Sequence, residues 1–188
     1  FANPGALYKE GVRAKEVVLQ ARVALAQVLS VKAEEVTFTS GGTEANNLAL
    51  FGVVGDHVKR GVAYSDLHII STQLEHSSIL EPLVRLEEQG VQVTYVPVSE
   101  DGLIDLEALK KAFKKETVLI TIHLVNNEIG TIQPLRDVAR AIASHYGKSA
   151  RPLLHTDACQ APLYLDVSLE RLGVDLLTLD GQKVYDAV

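Results

Sequence analysis

Five short clusters along this 188-residue chain carry side chains able to do chemistry. Thr39-Ser40-Gly41-Gly42-Thr43-Glu44 joins two glycines to hydroxyls and a carboxylate. Paired glycines let the backbone turn tightly and approach a ligand. A helix starting there presents free N–H groups and the positive end of its dipole, which suits a phosphate. A Ser or Thr cap with a Glu nearby accounts for the same residues without a ligand. Glu75-His76 offers an imidazole to stack on a flat ring, or an ordinary surface histidine. In Asn126-Asn127-Glu128-Ile129-Gly130, Asn127 can donate to a ligand oxygen, although Asn and Gly also favour turns. His155-Thr156-Asp157-Ala158-Cys159-Gln160 puts a carboxylate where burial is costly unless it is paired. The protonated nitrogen of a pyridine ring is one such partner; capping the next segment is the plainer role. His155 and Asp157 lack further ligands at metal-like spacing, so no metal site is expected. Asp180-Gly181-Gln182-Lys183 sets a lysine beside a glycine turn. Partly desolvated there, Lys183 becomes a nucleophilic amine toward an aldehyde; solvated, it is a surface charge.

The elements that position these clusters alternate in type. Apolar residues three and four apart predict helices over 6–29, 43–54, 77–88, 105–113 and 134–146, with Gly90 and Gly147 ending the third and fifth. Short runs at 36–39, 67–71, 91–96, 117–124, 152–156 and 175–179 predict strands, several of them apolar on both faces. That pattern implies an α/β fold: a three-layer α/β/α sandwich with a mainly parallel sheet. In such sheets ligands bind at the carboxyl ends of strands, and all five clusters follow strands. No internal repeat or linker divides the chain.

Composition narrows the function classes. Eighteen basic residues against 24 acidic ones give a net charge of −6, with no basic face for nucleic acid. Lys110, Lys111, Lys114 and Lys115 read as a solvated helix face. No apolar run approaches the roughly 20 residues of a membrane span, and no signal peptide is recognisable. The single cysteine, Cys159, precludes an internal disulfide and suits a reducing, cytoplasmic setting. The start at Phe1 without a Met suggests a piece of a longer protein.

Taken in order, Thr39 to Asn47, Glu75-His76, Asn126 to Gly130, Asp157-Ala158-Cys159-Gln160 and Gly181-Gln182-Lys183-Val184-Tyr185 resemble the cysteine desulfurases. These belong to the class V aminotransferases, of the pyridoxal 5'-phosphate (PLP) fold type I. Asn3-Pro4 is similar to an Asn-Pro segment near their N-terminus. The resemblance implies that residues 1–188 are a PLP-binding large domain, incomplete at its N-terminus and without the C-terminal small domain. It implies that Gly42 and Thr43 hold the phosphate and that His76 stacks on the ring. Asn127 and Gln160 would face the ring oxygen, Asp157 would pair with the ring nitrogen, and Lys183 would bond the aldehyde. Cys159 would be a packing residue, since the sulfur-accepting cysteine lies elsewhere in the family.

The implied reaction turns L-cysteine into L-alanine and leaves a persulfide on the enzyme. L-cysteine is the implied substrate, a sulfur-acceptor protein a partner, and the full-length parent a homodimer. Two departures stand out: Gln182 replaces the histidine usual before the lysine, and Asp180 replaces a phosphate-binding serine. Two alternatives remain open. One is another class V reaction, such as selenocysteine lyase or an aminotransferase; the other is a remnant of the fold that catalyses nothing.

Overall fold

A computed structural model describes residues 2–147 and 151–184. Five strands form one parallel sheet: β1 (His68–Thr72), β2 (Gln92–Val96), β3 (Thr117–Thr121), β4 (Leu153–Asp157) and β5 (Leu176–Thr178). Their spatial order is β2-β1-β3-β4-β5. Helices α1 (Lys9–Leu29), α2 (Gly42–Lys59), α3 (Ser77–Glu88), α4 (Leu106–Ala112), α5 (Leu135–Tyr146) and the short α6 (Leu169–Leu172) surround it.

Strand alternation divides the core into two layers, as expected when successive side chains point to opposite faces. Ile69 and Leu119 pack against Leu50 and Val54 of α2 and Ile79, Leu83 and Leu86 of α3. Ile70, Ile120 and Leu154 turn the other way, onto Leu109 of α4 and Leu135, Val138 and Ile142 of α5. The helices answer with apolar stripes at spacings of three and four, as at Ile79, Leu83 and Leu86. Each fully buried Leu or Ile contributes about 1.5–3 kcal/mol, so both faces hold the sheet firmly. The result is the three-layer α/β/α arrangement with a parallel sheet.

The strand order reverses direction between β1 and β3, because β2 lies outside β1 while β4 and β5 lie beyond β3. A crevice opens at the carboxyl ends of two strands whose connections leave in opposite directions. The segments after β1 and β3 therefore flank a natural ligand site.

Residues 36–39 pair with no strand, so the strand expected there is absent. Strand propensity needs a neighbouring edge to become a strand. This segment is instead held by α1: the Arg22 guanidinium donates to the Val36 carbonyl and lies 4.9 Å from the Phe38 ring centroid. The first helix begins at Lys9 rather than residue 6, after a turn in which Ala6 N–H donates to the Asn3 carbonyl. The second runs on to Lys59, through Gly52 and Gly55. Asp105 caps α4 instead of joining it; its Oδ1 accepts from Glu107 N–H and Ala108 N–H. The fourth strand is displaced by one residue and ends on Asp157 itself.

Candidate active site

One cavity at the carboxyl edge of the sheet is lined by residues from all five clusters. Gly42 and Thr43 come from the start of α2, and His76 from the turn into α3. Asn127 follows β3; Asp157, Cys159 and Gln160 end β4; Asp180 and Lys183 follow β5. Side chains separated by up to 141 residues in the chain thus meet: four clusters because parallel strands end at one edge, and Gly42 and Thr43 because α2 starts there. Gln182 is the one expected site residue that does not line this cavity. It is exposed, and its backbone N–H donates to Asp180 Oδ1 at 3.1 Å.

The start of α2 opens on this cavity through Gly42 and Thr43. The first N–H groups of a helix have no intrahelical acceptor. Glu44 folds back, its Oε2 accepting from Ser40 N–H at 2.6 Å, and these hydrogen bonds to Ser40 hold its carboxyl below the usual range. That cap lies ahead of the helix, so the N–H groups at its first turn still face the cavity. Gly42 is required by space: a Cβ there would lie 2.8 Å from Cys159 Sγ. Asp180 also crowds this position, its Oδ2 3.8 Å from the same point. The carboxylate that replaces a serine therefore lies beside the cradle.

Behind the cradle runs a hydrogen-bond network that sequence reasoning missed. Asn46 is fully buried. Its Nδ2 donates to Asp157 Oδ2 at 2.7 Å and to Ser78 Oγ at 2.8 Å. Ser78 Oγ lies 2.8 Å from His76 Nδ1, which also accepts from Ser78 N–H at 3.1 Å. Asp157 Oδ1 accepts from Cys159 N–H at 3.0 Å. His76 and Asp157 are thus oriented by a shared scaffold. Asn46 stands one helical turn after Gly42 and Thr43, a spacing that puts it on the face of the cradle.

Asn126 and Asn127 divide the two roles foreseen for their cluster. Asn126 makes the turn: Oδ1 accepts from Glu128 N–H and Ile129 N–H, and Nδ2 donates to the Leu74 carbonyl. Asn127 is left to the cavity. Two residues with no expected role, Glu75 and His123, form a buried pair. Glu75 Oε1 accepts from Thr72 Oγ1 at 2.8 Å and meets His123 Nδ1 at 3.0 Å; Glu75 Oε2 accepts from His123 N–H at 2.9 Å.

Cys159 is 6% exposed and lies against the start of α2. Burial first, then the adjacent Asp157 carboxylate, push its thiol well above the usual range, so it stays protonated. Lys183 is placed at the rim by the short turn Gly181–Val184, with its N–H donating to the Asp180 carbonyl. It is exposed, where partial burial was expected. Tyr185 of the same motif lies outside the described residues. Among the described residues no cluster of three His, Cys, Asp or Glu is set to hold a metal. No helix among them is long and apolar enough to cross a membrane.

Comparison with known proteins gives this geometry a context. A cysteine desulfurase IscS of Dictyoglomus turgidum is 40% identical over 185 residues, covering 98% of this chain and 44% of the relative. A mitosomal cysteine desulfurase of Encephalitozoon cuniculi is 41% identical, covering 98% of this chain and 41% of the relative. Among solved structures, SspA in complex with cysteine superposes with a TM-score of 0.89 at 36% identity, over 100% of this chain and 51% of that one. A NifS-like protein does so with a TM-score of 0.88 at 36% identity, over 97% and 48%. The chain spans less than half the length of the curated relatives it matches. The family model for aminotransferase class-V matches residues 2–187. With that match running over nearly every residue, the chain belongs to the class V aminotransferase family.

Proposed function

We propose that this chain is the cofactor-binding part of a PLP-dependent cysteine desulfurase. The observation that carries the reading is the single cavity where Gly42, Thr43, His76, Asn127, Asp157, Gln160 and Lys183 converge. The donor set fits the cofactor. A glycine cradle that no Cβ could enter suits a phosphate approached closely by backbone. An anchored carboxylate suits a protonated ring nitrogen, and a rim lysine suits an aldehyde.

In this reading Gly42 and Thr43 bind the phosphate. His76, oriented by Ser78, covers the ring face. Asp157, oriented by Asn46, binds the ring nitrogen, while Asn127 and Gln160 bind the ring oxygen. The cofactor supplies a sink for the electrons left behind when the substrate's α-proton departs. The Lys183 amine would hold the aldehyde and would serve as the base that moves the α-proton. Asp180, beside the cradle, weakens phosphate binding by like-charge repulsion relative to a serine.

The proposed overall reaction takes L-cysteine and an enzyme thiol to L-alanine and an enzyme persulfide. Cys159 is excluded as that thiol, because a protonated, buried sulfur is not a nucleophile. The receiving cysteine is therefore a residue other than Cys159. A homodimeric parent, a sulfur-acceptor partner serving iron–sulfur cluster assembly, and a cytoplasmic setting complete the proposal. The names of the IscS relatives support the desulfurase assignment over a selenocysteine lyase or other class V reaction.

The test is spectral. Purified chain titrated with PLP develops an absorbance band near the visible edge, and L-cysteine perturbs that band more than other amino acids do. A chain that develops no band is a remnant of the fold, and the proposal fails.

A further inference from the structure

Asp180 lines the cavity with one carboxylate oxygen engaged and one free. Its Oδ1 accepts from Gln182 N–H at 3.1 Å, which pins the side chain at the head of the turn after β5. Its Oδ2 accepts from no protein donor among the described residues. That oxygen lies 3.8 Å from the point where a Cβ on Gly42 would stand, so the carboxylate is set against the first turn of α2. Asn46, fully buried in the same wall, has its Oδ1 unpartnered, as in a cavity that takes a ligand or a water held by one.

The charges around Asp180 can be followed element by element. On its own turn stands Lys183, the one Lys or Arg among the described residues that line the cavity; the cofactor reading commits that amine to the aldehyde. After β4, Asp157 is held by Asn46 and by Cys159 N–H, and the Cys159 thiol stays neutral. His76, at the entry to α3, is tied to Ser78, and His123, after β3, to Glu75. Glu44, the acidic residue in the first turn of α2, is turned back onto Ser40 N–H. No cationic side chain of the wall is thus left for a phosphate received by the N–H groups of Gly42 and Thr43. A phosphate monoester has its second pKa at about 6 and is mostly a dianion at neutral pH. Two anionic groups sharing one site do not both stay ionised: a proton is retained between them, and the pair titrates well above the isolated phosphate.

We infer that Asp180 is a specificity-determining residue of the cofactor site: it makes the start of α2 take the phosphate as a monoanion, with one proton shared between the free carboxylate oxygen and a phosphate oxygen. The inference rests on the PLP reading above. The proton comes from solvent, so loading takes up one proton that a serine at this position would not require. The sign follows. Affinity falls as pH rises from about 6, where free phosphate loses its proton, up to the apparent value of the loaded pair; above that value the two anions repel in full.

The test is phosphorus NMR of the chain loaded with PLP, followed from about pH 6.5 to about pH 9. The phosphate resonance titrates about one to three units above that of free PLP, the scale of a like-charge pair. In Asp180→Ser it is that of the dianion over the whole range. Absorbance titrations at about pH 6 and about pH 8 add an independent reading. The ratio of PLP affinities, Asp180→Ser over the unmodified chain, cancels the steps both share at Lys183 and rises roughly tenfold between the two values. A dianion resonance throughout in the unmodified chain, or the same titration in both chains, overturns the inference and leaves the cofactor reading standing. If no band forms at either pH in the unmodified chain, the cofactor reading has failed and the inference falls with it. Should Asp180→Ser not fold, Asp180→Asn, which keeps an oxygen for Gln182 N–H, takes its place, and the titration of the unmodified chain already decides the matter.

Discussion

Replacing Gly42 with alanine tests how tightly the cradle is built. An added Cβ would lie 2.8 Å from Cys159 Sγ, with Asp180 Cβ 3.5 Å away on another side. Ordinary carbon contacts lie at about 3.5–4.0 Å, so the methyl is roughly 1 Å short of room. Cys159 cannot swing aside freely, since it is 6% exposed and its N–H is tied to Asp157. Overpacking on this scale costs about 1–3 kcal/mol. Cys159→Ala removes the obstructing sulfur and by itself costs about 1 kcal/mol of lost packing. Combined, the two changes should recover about 1–2 kcal/mol of the sum, a coupling that urea denaturation of the four chains in a double-mutant cycle measures directly. Gly52→Ala is the control: nothing lies within 4 Å of a Cβ there, so the same change on α2 should stabilise by about 0.5–1 kcal/mol. A neutral Gly42→Ala, or a cycle with no coupling, would refute the close approach of the start of α2 to the loop after β4.

Three further outcomes follow from the same coordinates. Burial holds His155 and His68 at about 4, down from 6.5, so both are neutral in the folded chain. The unfolded chain binds those protons first, so stability falls as pH drops from about 6.5 toward 4, by about 3 kcal/mol per histidine; urea midpoints that stay flat over that range would contradict the buried neutral imidazoles. Asn46→Ala removes a charge-assisted hydrogen bond to Asp157 and one to Ser78, and should cost about 3 kcal/mol by denaturation; a loss below about 0.5 kcal/mol would mean the scaffold does not exist. Asp175→Ala breaks a two-pronged contact with Arg151 at 2.7 Å and a bond from Leu154 N–H, for about 1–2 kcal/mol, and salt should shrink that loss if the ion pair matters.

Much of this was legible in the residues because the signals were local. Hydrophobic spacing located α1 to α5 but not the short α6, and clusters after apolar runs marked the sheet edge where ligands bind. What stayed hidden depended on partners distant in sequence. Residues 36–39 look like a strand, yet they pair with no strand of the described sheet, and Arg22 holds them instead. Asn46 looked like one polar residue among others until α2 placed it between Ser78 and Asp157. His123 was hidden within an apolar run, although His123, Val125 and Asn127 share the alternation that puts all three on the cavity wall. Gln182 shows the converse: a motif position next to the lysine, turned away by the short helical turn that carries it.

The most direct measurement is where the cofactor attaches. The chain is loaded with PLP, reduced with borohydride, digested and read by mass spectrometry. The mass of a reduced pyridoxal group should fall on the peptide containing Lys183, and Lys183→Ala should abolish both that mass and the absorbance band without unfolding the chain. Label spread over surface lysines, or a band that persists in Lys183→Ala, would contradict the assignment of this cavity as the cofactor site.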